Sequence, residues 1–258
     1  MSGMFDLTDR VAVVTGAGQG LGESFARSLA EAGAQVFLAA RNRERLLAAA
    51  AKIAAETGAQ IYTCPLDITD EQSVMDACRF VLETAGRLEI LVNNAAVGRG
   101  NQPLENESLE EWQAVLNTNL TGTFLMMKHA GRIMIEQKYG KIINLASMTG
   151  LVAMRNPSIG AYDVSKAGVE CLTRLMAGEW AKYNINVNSI CPGYYMTDLN
   201  KAYVEQNPEF YVDSLRQIPL GRWGEPKDIG DIAVFLASAA SDYMTGANLV
   251  TDGGYTIW

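Results

Sequence analysis

Tyr162 and Lys166 stand four residues apart in a helix-forming stretch, a spacing that puts a phenol and an ammonium on one helix face. Reducing a ketone by hydride transfer builds an alkoxide that needs a proton, and oxidising an alcohol needs that proton removed. A phenol can do either if its pKa falls from about 10 toward the working pH. A nearby ammonium favours phenolate, so Lys166 is expected to lower the pKa of Tyr162. Ser147 follows an apolar strand and could hydrogen-bond a substrate oxygen while charge builds on it. Each residue has an ordinary use when taken singly. Tyr162 could be packing, Lys166 a solvated helix charge, Ser147 a strand end, and Asn119 a helix kink or cap. Their order, Asn119, Ser147, Tyr162, Lys166, is what makes them a candidate catalytic set.

A second candidate is Gly16-Ala-Gly-Gln-Gly-Leu-Gly22, which ends a β-branched run and opens a helical pattern. In that context Gly16 permits a tight turn, Gly20 lets backbone approach a pyrophosphate, and Gly22 permits close helix packing. The helix N-terminus then offers unpaired amides and a positive dipole end to phosphates. Gly18, Gln19 and Leu21 complete this candidate cofactor turn, although glycine clusters also make plain turns.

The elements that must position these groups alternate. Strands are expected at 10–15, 35–40, 60–64, 89–93, 141–146, 186–190 and 248–251. Helices are expected at 21–31, 43–56, 70–84, 109–137, 161–183 and 226–238. Seven apolar strands joined by crossover helices imply an α/β, doubly wound, mostly parallel sheet with helices on both faces, Rossmann-like. The aromatic-rich stretch 194–225 falls outside the pattern and follows a strand end. Ligands bind at the carboxyl ends of such strands, so this stretch is expected to cover the site.

Composition narrows the alternatives. With 258 residues, 48% of them hydrophobic, and no linker dividing the chain, residues 1–258 read as one domain. A net charge of -8 leaves no basic footprint for nucleic acid or an anionic membrane. Cys64, Cys78, Cys171 and Cys191 fit neither CxxC pairs nor a disulfide framework and are expected to be buried, reduced thiols in a cytoplasmic protein. Met1 to Arg10 lacks a signal-peptide core, and no run approaches the ~18 apolar residues of a membrane span. His129 is the sole histidine, which leaves a zinc site short of ligands and makes His129 an ordinary packed or surface-lining residue.

Together the TGxxxGxG spacing from Thr15, Leu66-Asp67-Ile68, Asn93-Asn94-Ala95-Ala96, Asn119, Ser147, the Tyr162/Lys166 pair and Pro192-Gly193 resemble the short-chain dehydrogenase/reductase family along nearly the whole chain. Ala96 departs from the glycine usual in that turn. The resemblance implies an NAD(P)-dependent oxidoreductase. It places Asp67, Ile68, Asn94, Pro192, Gly193 and Thr197 against the cofactor and lets Lys166 hydrogen-bond the nicotinamide ribose as well. It also implies that Asn119 holds a water linking Lys166 to solvent, and that the chain assembles with itself, most simply as a tetramer. The apolar close Tyr255 to Trp258 fits such an interface, or Trp258 folds back on its own subunit.

Finer similarities, among them Ser147-Met-Thr-Gly150, Pro192-Gly-Tyr-Tyr-Met-Thr197 and the chain's last seven residues, resemble the polyol and sugar dehydrogenase branch. Met154 departs from it, since an apolar side chain there cannot hydrogen-bond a sugar hydroxyl. The expected substrate is a secondary alcohol of a polyol or sugar, or its ketone. Candidate substrate residues are Ser147, Tyr162, Tyr194, Tyr195 and Arg155. The aromatic residues, with Tyr203, Tyr211 and Trp223, could stack on a sugar or enclose an apolar ketone, and Arg155 could pair with an acid group or remain solvated. A ketoreductase of fatty-acid or xenobiotic type is the enzyme alternative, and a catalytically silent, nucleotide-binding redox sensor is the non-enzyme one.

Cofactor choice turns on the end of the second strand, where an acidic residue would bind the ribose hydroxyls of NAD. Ala40 stands there, followed by Arg41, Asn42 and Arg43. A guanidinium can hydrogen-bond a 2′-phosphate in pairs, so Arg41 favours NADP(H), and a neutral residue at 40 leaves NAD(H) tolerable. Gln19 stands where a basic residue often accompanies NADP use, and Arg43 and Arg45 could be solvated helix charges.

Overall fold

The computed structural model describes residues 3–98, 104–154 and 160–257. Among them seven strands form one sheet, ordered β3-β2-β1-β4-β5-β6-β7: β1 (Val11–Thr15), β2 (Gln35–Ala40), β3 (Ile61–Pro65), β4 (Ile90–Asn93), β5 (Gly140–Leu145), β6 (Ile185–Pro192) and β7 (Asn248–Thr251). Every pairing is parallel, with Ala12 opposite Val36 on one side and Ile90 on the other. The doubly wound sheet expected from the sequence is therefore present, with strand edges moved by a residue or two.

Burial on both faces explains the continuous apolar runs of the strands. Ala12 and Val14 of β1 face a core with Phe25, Leu29, Leu46 and Ile229, which is covered by α1 (Gly20–Glu31), α2 (Arg43–Thr57) and α9 (Pro226–Ala237). Val11 and Val13 face the other core, with Val74, Met126, Met134 and Trp180. Here the cover is α3 (Glu71–Ala85), α5 (Thr123–Gln137) and α6 (Ala161–Trp180).

Local chemistry ends the helices where the pattern requires. Asn42 Oδ1 accepts the Arg45 amide to start α2, and Gly58 closes it in the left-handed region, φ +70°. A capping box between Ser108 and Glu111 starts α4 (Leu109–Leu116). The expected single helix over 109–137 is interrupted by a π-helical turn, Asn117–Gly122. There the Thr118 and Thr123 hydroxyls donate to the carbonyls of Ala114 and Asn119, and Gly122 packs so tightly on Ile68 that a Cβ would lie 2.7 Å from its side chain. The stretch 194–225 is more regular than its sequence suggests, since it contains α7 (Asp198–Gln206) and α8 (Pro208–Leu215).

The cysteine expectation needs one correction. Cys64, Cys78 and Cys191 are buried, but Cys171 is exposed because it lies on the outer side of α6. His129 is buried against α3, with Nε2 2.8 Å from Glu71 Oε1. Among the described residues no helix is long and apolar enough to cross a membrane, and no cluster of His, Cys, Asp and Glu is placed to hold a metal ion.

Candidate active site

The carboxyl ends of β1, β4, β5 and β6 carry the glycine turn, Asn93-Asn94, Ser147 and Pro192-Gly193 to one edge of the sheet. Gly16 has φ +66°, and a Cβ there would sit 2.8 Å from the Ala95 Cα. Gly22 lies so close to the same turn that a Cβ would fall 2.4 Å from the Gly16 carbonyl oxygen. Asn94 staples the turn, its Nδ2 donating to the carbonyls of Thr15 at 2.9 Å and Gly16 at 3.2 Å. The side chain of Asn94 therefore shapes the cradle. Gln19 is the N-cap of α1 but makes no capping hydrogen bond, so its side chain leaves the leading amides of α1 available to an anion. A backbone cradle that excludes side chains, in front of an uncapped helix N-terminus, fits a dinucleotide pyrophosphate.

The neighbouring candidates gather around this cradle. Thr197 caps α7 by accepting the Asn200 amide, and its methyl group lies 3.7 Å from where a Cβ of Gly20 would be. Gly193 donates its amide to the Thr251 carbonyl, directly after Pro192 ends β6. Leu21 is partly buried behind the turn, and Gly18 backs onto Arg45, whose guanidinium donates to Gln19 Oε1 at 2.7 Å. Arg41 is exposed just past β2. It faces Asp67, whose carboxyl is held below its ordinary pKa by the Thr69 hydroxyl first and by Arg41 as well. Ile68 is buried under the π-helical turn.

Tyr162 and Lys166 share α6 one turn apart, as their spacing suggests, and Ser147 lies beside them at the end of β5. Ser147 is buried and caps a 3-10 turn, Met148–Gly150, where its Oγ accepts the Thr149 amide at 3.2 Å and the Thr149 hydroxyl at 3.0 Å. The Tyr162 hydroxyl lies beside Ser147, whose hydroxyl favours the phenolate. Lys166, 3% exposed, donates to the Leu145 carbonyl at 2.6 Å and lies 5.4 Å from the centre of the Tyr162 ring.

Electrostatics correct one expectation. Burial pushes the Tyr162 hydroxyl up to about 12 despite the Ser147 hydroxyl, and it drives Lys166 down to about 8. The ammonium lies against the ring and the Leu145 carbonyl, and desolvation first, with Asp163 adding to it, governs the phenol in the protein alone. Asn119 is 1% exposed, with its carboxamide fully engaged. Oδ1 accepts the Val97 amide at 2.8 Å, while Nδ2 donates to the Val97 carbonyl at 2.9 Å and to Ser165 Oγ at 3.0 Å. It thus ties the loop after β4 to α6, and its main-chain oxygen accepts the Thr123 hydroxyl at 2.7 Å.

The substrate candidates divide. Tyr195 is 5% exposed, with its ring packed on Gly224 as part of the core, and is not available to a ligand. Tyr194 stacks on Trp223 at 4.9 Å and meets Phe210 and Tyr255 edge to face, while Tyr203 and Tyr211 join the same cluster. These rings therefore stack on one another, because mutual packing fixes the cover to the sheet. Arg155 and Trp258 lie outside the described residues. Sequence reasoning missed Glu107, whose carboxylate accepts the Ala161 amide at 3.1 Å and caps the helix that carries Tyr162 and Lys166. No local pattern could have found it, because Glu107 and Ala161 are 54 residues apart in the chain.

Known proteins resemble this chain over nearly its whole length. A family described as enoyl-(acyl carrier protein) reductase matches residues 16–256. Galactitol 2-dehydrogenase (L-tagatose-forming) of Cereibacter sphaeroides is 38% identical over 255 residues, 99% of this chain and 98% of that protein. Gluconate 5-dehydrogenase of Gluconobacter oxydans (strain 621H) is 36% identical over 255 residues, 98% of this chain and 97% of that one. Among solved structures, a gluconate 5-dehydrogenase from Burkholderia cenocepacia J2315 in complex with NADP and tartrate superposes with a TM-score of 0.93 at 36% identity, covering 100% of this chain and 99% of that one.

Proposed function

The chain belongs to the short-chain dehydrogenase/reductase family and is an oxidoreductase acting on CH–OH groups; we propose that it interconverts a secondary alcohol of a polyol or sugar and its ketone with NADP(H). The observation that carries this reading is the Ser147 hydroxyl placed beside the Tyr162 hydroxyl, with Lys166 one helical turn on and the glycine cradle at the same sheet edge.

When bound, the nicotinamide supplies or accepts the hydride. Ser147 hydrogen-bonds the substrate oxygen and holds it beside the Tyr162 hydroxyl. Tyr162 is protonated at neutral pH and can donate as the ketone is reduced. In oxidation it must ionise, and the Lys166 charge is the favourable influence at that step. Lys166 also holds the ribose, and Asn119 holds the water that reconnects Lys166 with solvent. Arg41 reads the 2′-phosphate. The cover 194–225 closes the substrate end, and the protein assembles with itself in the cytoplasm. The dehydrogenase names of its relatives support the polyol or sugar class.

A spectrophotometric screen of polyols, ketoses, aldonates, simple ketones and acyl thioesters with NADP(H) and NAD(H) tests the reading. Highest efficiency with a polyol, ketose or aldonate and NADP(H) is expected. Preference for an acyl thioester would replace the substrate class, and cofactor binding without turnover across the panel would favour a silent sensor.

A further inference from the structure

Behind Ser147 lies a buried polar group that the proton transfer above does not use. Glu170 sits on α6 one turn past Lys166 and is 4% exposed. Its Oε1 accepts the Cys191 thiol of β6 at 3.7 Å, and its Oε2 accepts Asn248 Nδ2 of β7 at 3.4 Å. Asn248 is itself fixed, its Oδ1 accepting the Ser189 hydroxyl at 2.6 Å. The Ala146 amide donates to the Ile190 carbonyl at 2.8 Å, which sets Cys191 beside Ser147, and the Ser147 backbone N–H lowers the thiol's pKa against the effect of burial. Gly150, at the far end of the same 3-10 turn, packs directly on this carboxylate, where a Cβ would lie 2.5 Å from Glu170 Oε1. Both ends of the turn that presents Ser147 therefore rest on one carboxyl group, one end through a thiol and the other by contact.

A buried carboxyl is an expensive way to fill space, since an apolar side chain of similar size would avoid its desolvation. Its position has a mechanical use. Ser147 Oγ already accepts two hydrogen bonds from Thr149 inside the turn, so a turn free to shift would carry the hydroxyl away from Tyr162. A thiol is a weak acceptor by itself, and it accepts better when its own proton is given to a carboxylate. Burial pushes the Cys191 thiol up to about 12, so it keeps that proton. Burial also raises the Glu170 carboxyl, which the Cys191 hydrogen bond and Arg174 oppose. The groups facing Glu170 are Cys191 from β6, Asn248 from β7, Gly150 from the turn, and Arg174 along α6.

We propose that Glu170 and Cys191 are a positioning pair for Ser147, with the carboxyl group orienting the thiol and the thiol holding the Ser147 amide, so that the serine hydroxyl stays aimed at the Tyr162 hydroxyl. This rests on the reading that Ser147 orients the substrate oxygen.

The test compares Cys191→Ala, Cys191→Ser, Glu170→Leu and Glu170→Gln with Ser147→Ala in the full chain. It reads NADPH affinity by fluorescence, kcat with the best substrate of the screen, and hydrogen exchange of the Ser147 amide by NMR. Loss of the thiol in Cys191→Ala should lower kcat about tenfold and speed Ser147 exchange by a similar factor, with NADPH affinity within about twofold. Glu170→Leu should do the same, while Cys191→Ser and Glu170→Gln, which keep a donor or acceptor in place, should recover most of both. Native exchange and kcat in Cys191→Ala would overturn the proposal, as would equal losses in Cys191→Ala and Cys191→Ser. If Ser147→Ala itself turns over normally, the role given to Ser147 fails, and the exchange data still judge the hydrogen-bonded pair.

Discussion

The ammonium of Lys166 is 5.4 Å from the centre of the Tyr162 ring, and its shortest hydrogen bond is to the Leu145 carbonyl, at 2.6 Å. The cation is anchored to the end of β5 before any ligand arrives. The pair is thus preorganised by backbone, with the phenol free to exchange hydrogen bonds with Ser147 and a substrate oxygen.

Tyr162→Phe is expected to bind NADPH as the native protein does and to lose turnover by about a hundredfold to ten-thousandfold, the range for removing a general acid. Fluorescence titration and steady-state rates measure the two quantities separately. Near-native turnover would end the proposed mechanism.

Burial lowers Lys166 to about 8, so the free enzyme loses this ammonium as pH rises through that value. Affinity for NADPH should therefore weaken as pH passes about 8. The Lys166→Arg variant keeps its charge at high pH and should show no weakening there. An identical pH dependence in the two proteins would remove Lys166 from cofactor binding.

Arg41→Ala should cut the efficiency ratio of NADP over NAD by about tenfold, equivalent to about 1.4 kcal/mol of lost phosphate recognition. Adding Ala40→Asp should carry the preference over to NAD. A native protein that already prefers NAD would mean that Arg41 does not clamp a phosphate.

Gly16→Ala must adopt φ near +66° with its methyl group against Ala95 backbone. The strain should cost about 1 to 3 kcal/mol, seen as a lower Tm, together with weakened NADPH binding. A variant with native Tm and native affinity would show that the turn is not the tight cradle described.

Tyr194→Phe should leave stability and substrate KM unchanged, because the ring is used for stacking on Trp223. Tyr194→Ala should lower Tm. A raised KM in Tyr194→Phe alone would return the hydroxyl to substrate binding.

The sheet and the shared face of Tyr162 and Lys166 were legible because they follow from short-range signals: apolar strand runs, the glycine-rich turn, and an i, i+4 pair on one helix. The π-helical turn at Asn119 was not, since it depends on Thr hydroxyls entering the helix ladder and on Gly122 meeting Ile68 from another element. Nor was the fate of the cover aromatics. Composition announces rings, and only the tertiary arrangement decides whether they face a ligand or one another. The opposing shifts of Tyr162 and Lys166 were hidden for the same reason: a charge partner can be read from spacing, and the depth of burial cannot.

The order β3-β2-β1-β4-β5-β6-β7 also bears on how the chain is made. Each strand after the first pairs with one that precedes it in the chain: β2 and β4 with β1, β3 with β2, and β5, β6 and β7 each with the strand just before. A polypeptide leaving the ribosome can thus add every new strand to an edge already built. The longest wait falls between Ala12 and its β4 partner Ile90, so a nascent chain halted before β4 leaves one flank of β1 with unpaired backbone N–H and C=O groups. Translation speed across the segment between β1 and β4 then governs how long that flank is open to aggregation or to chaperones.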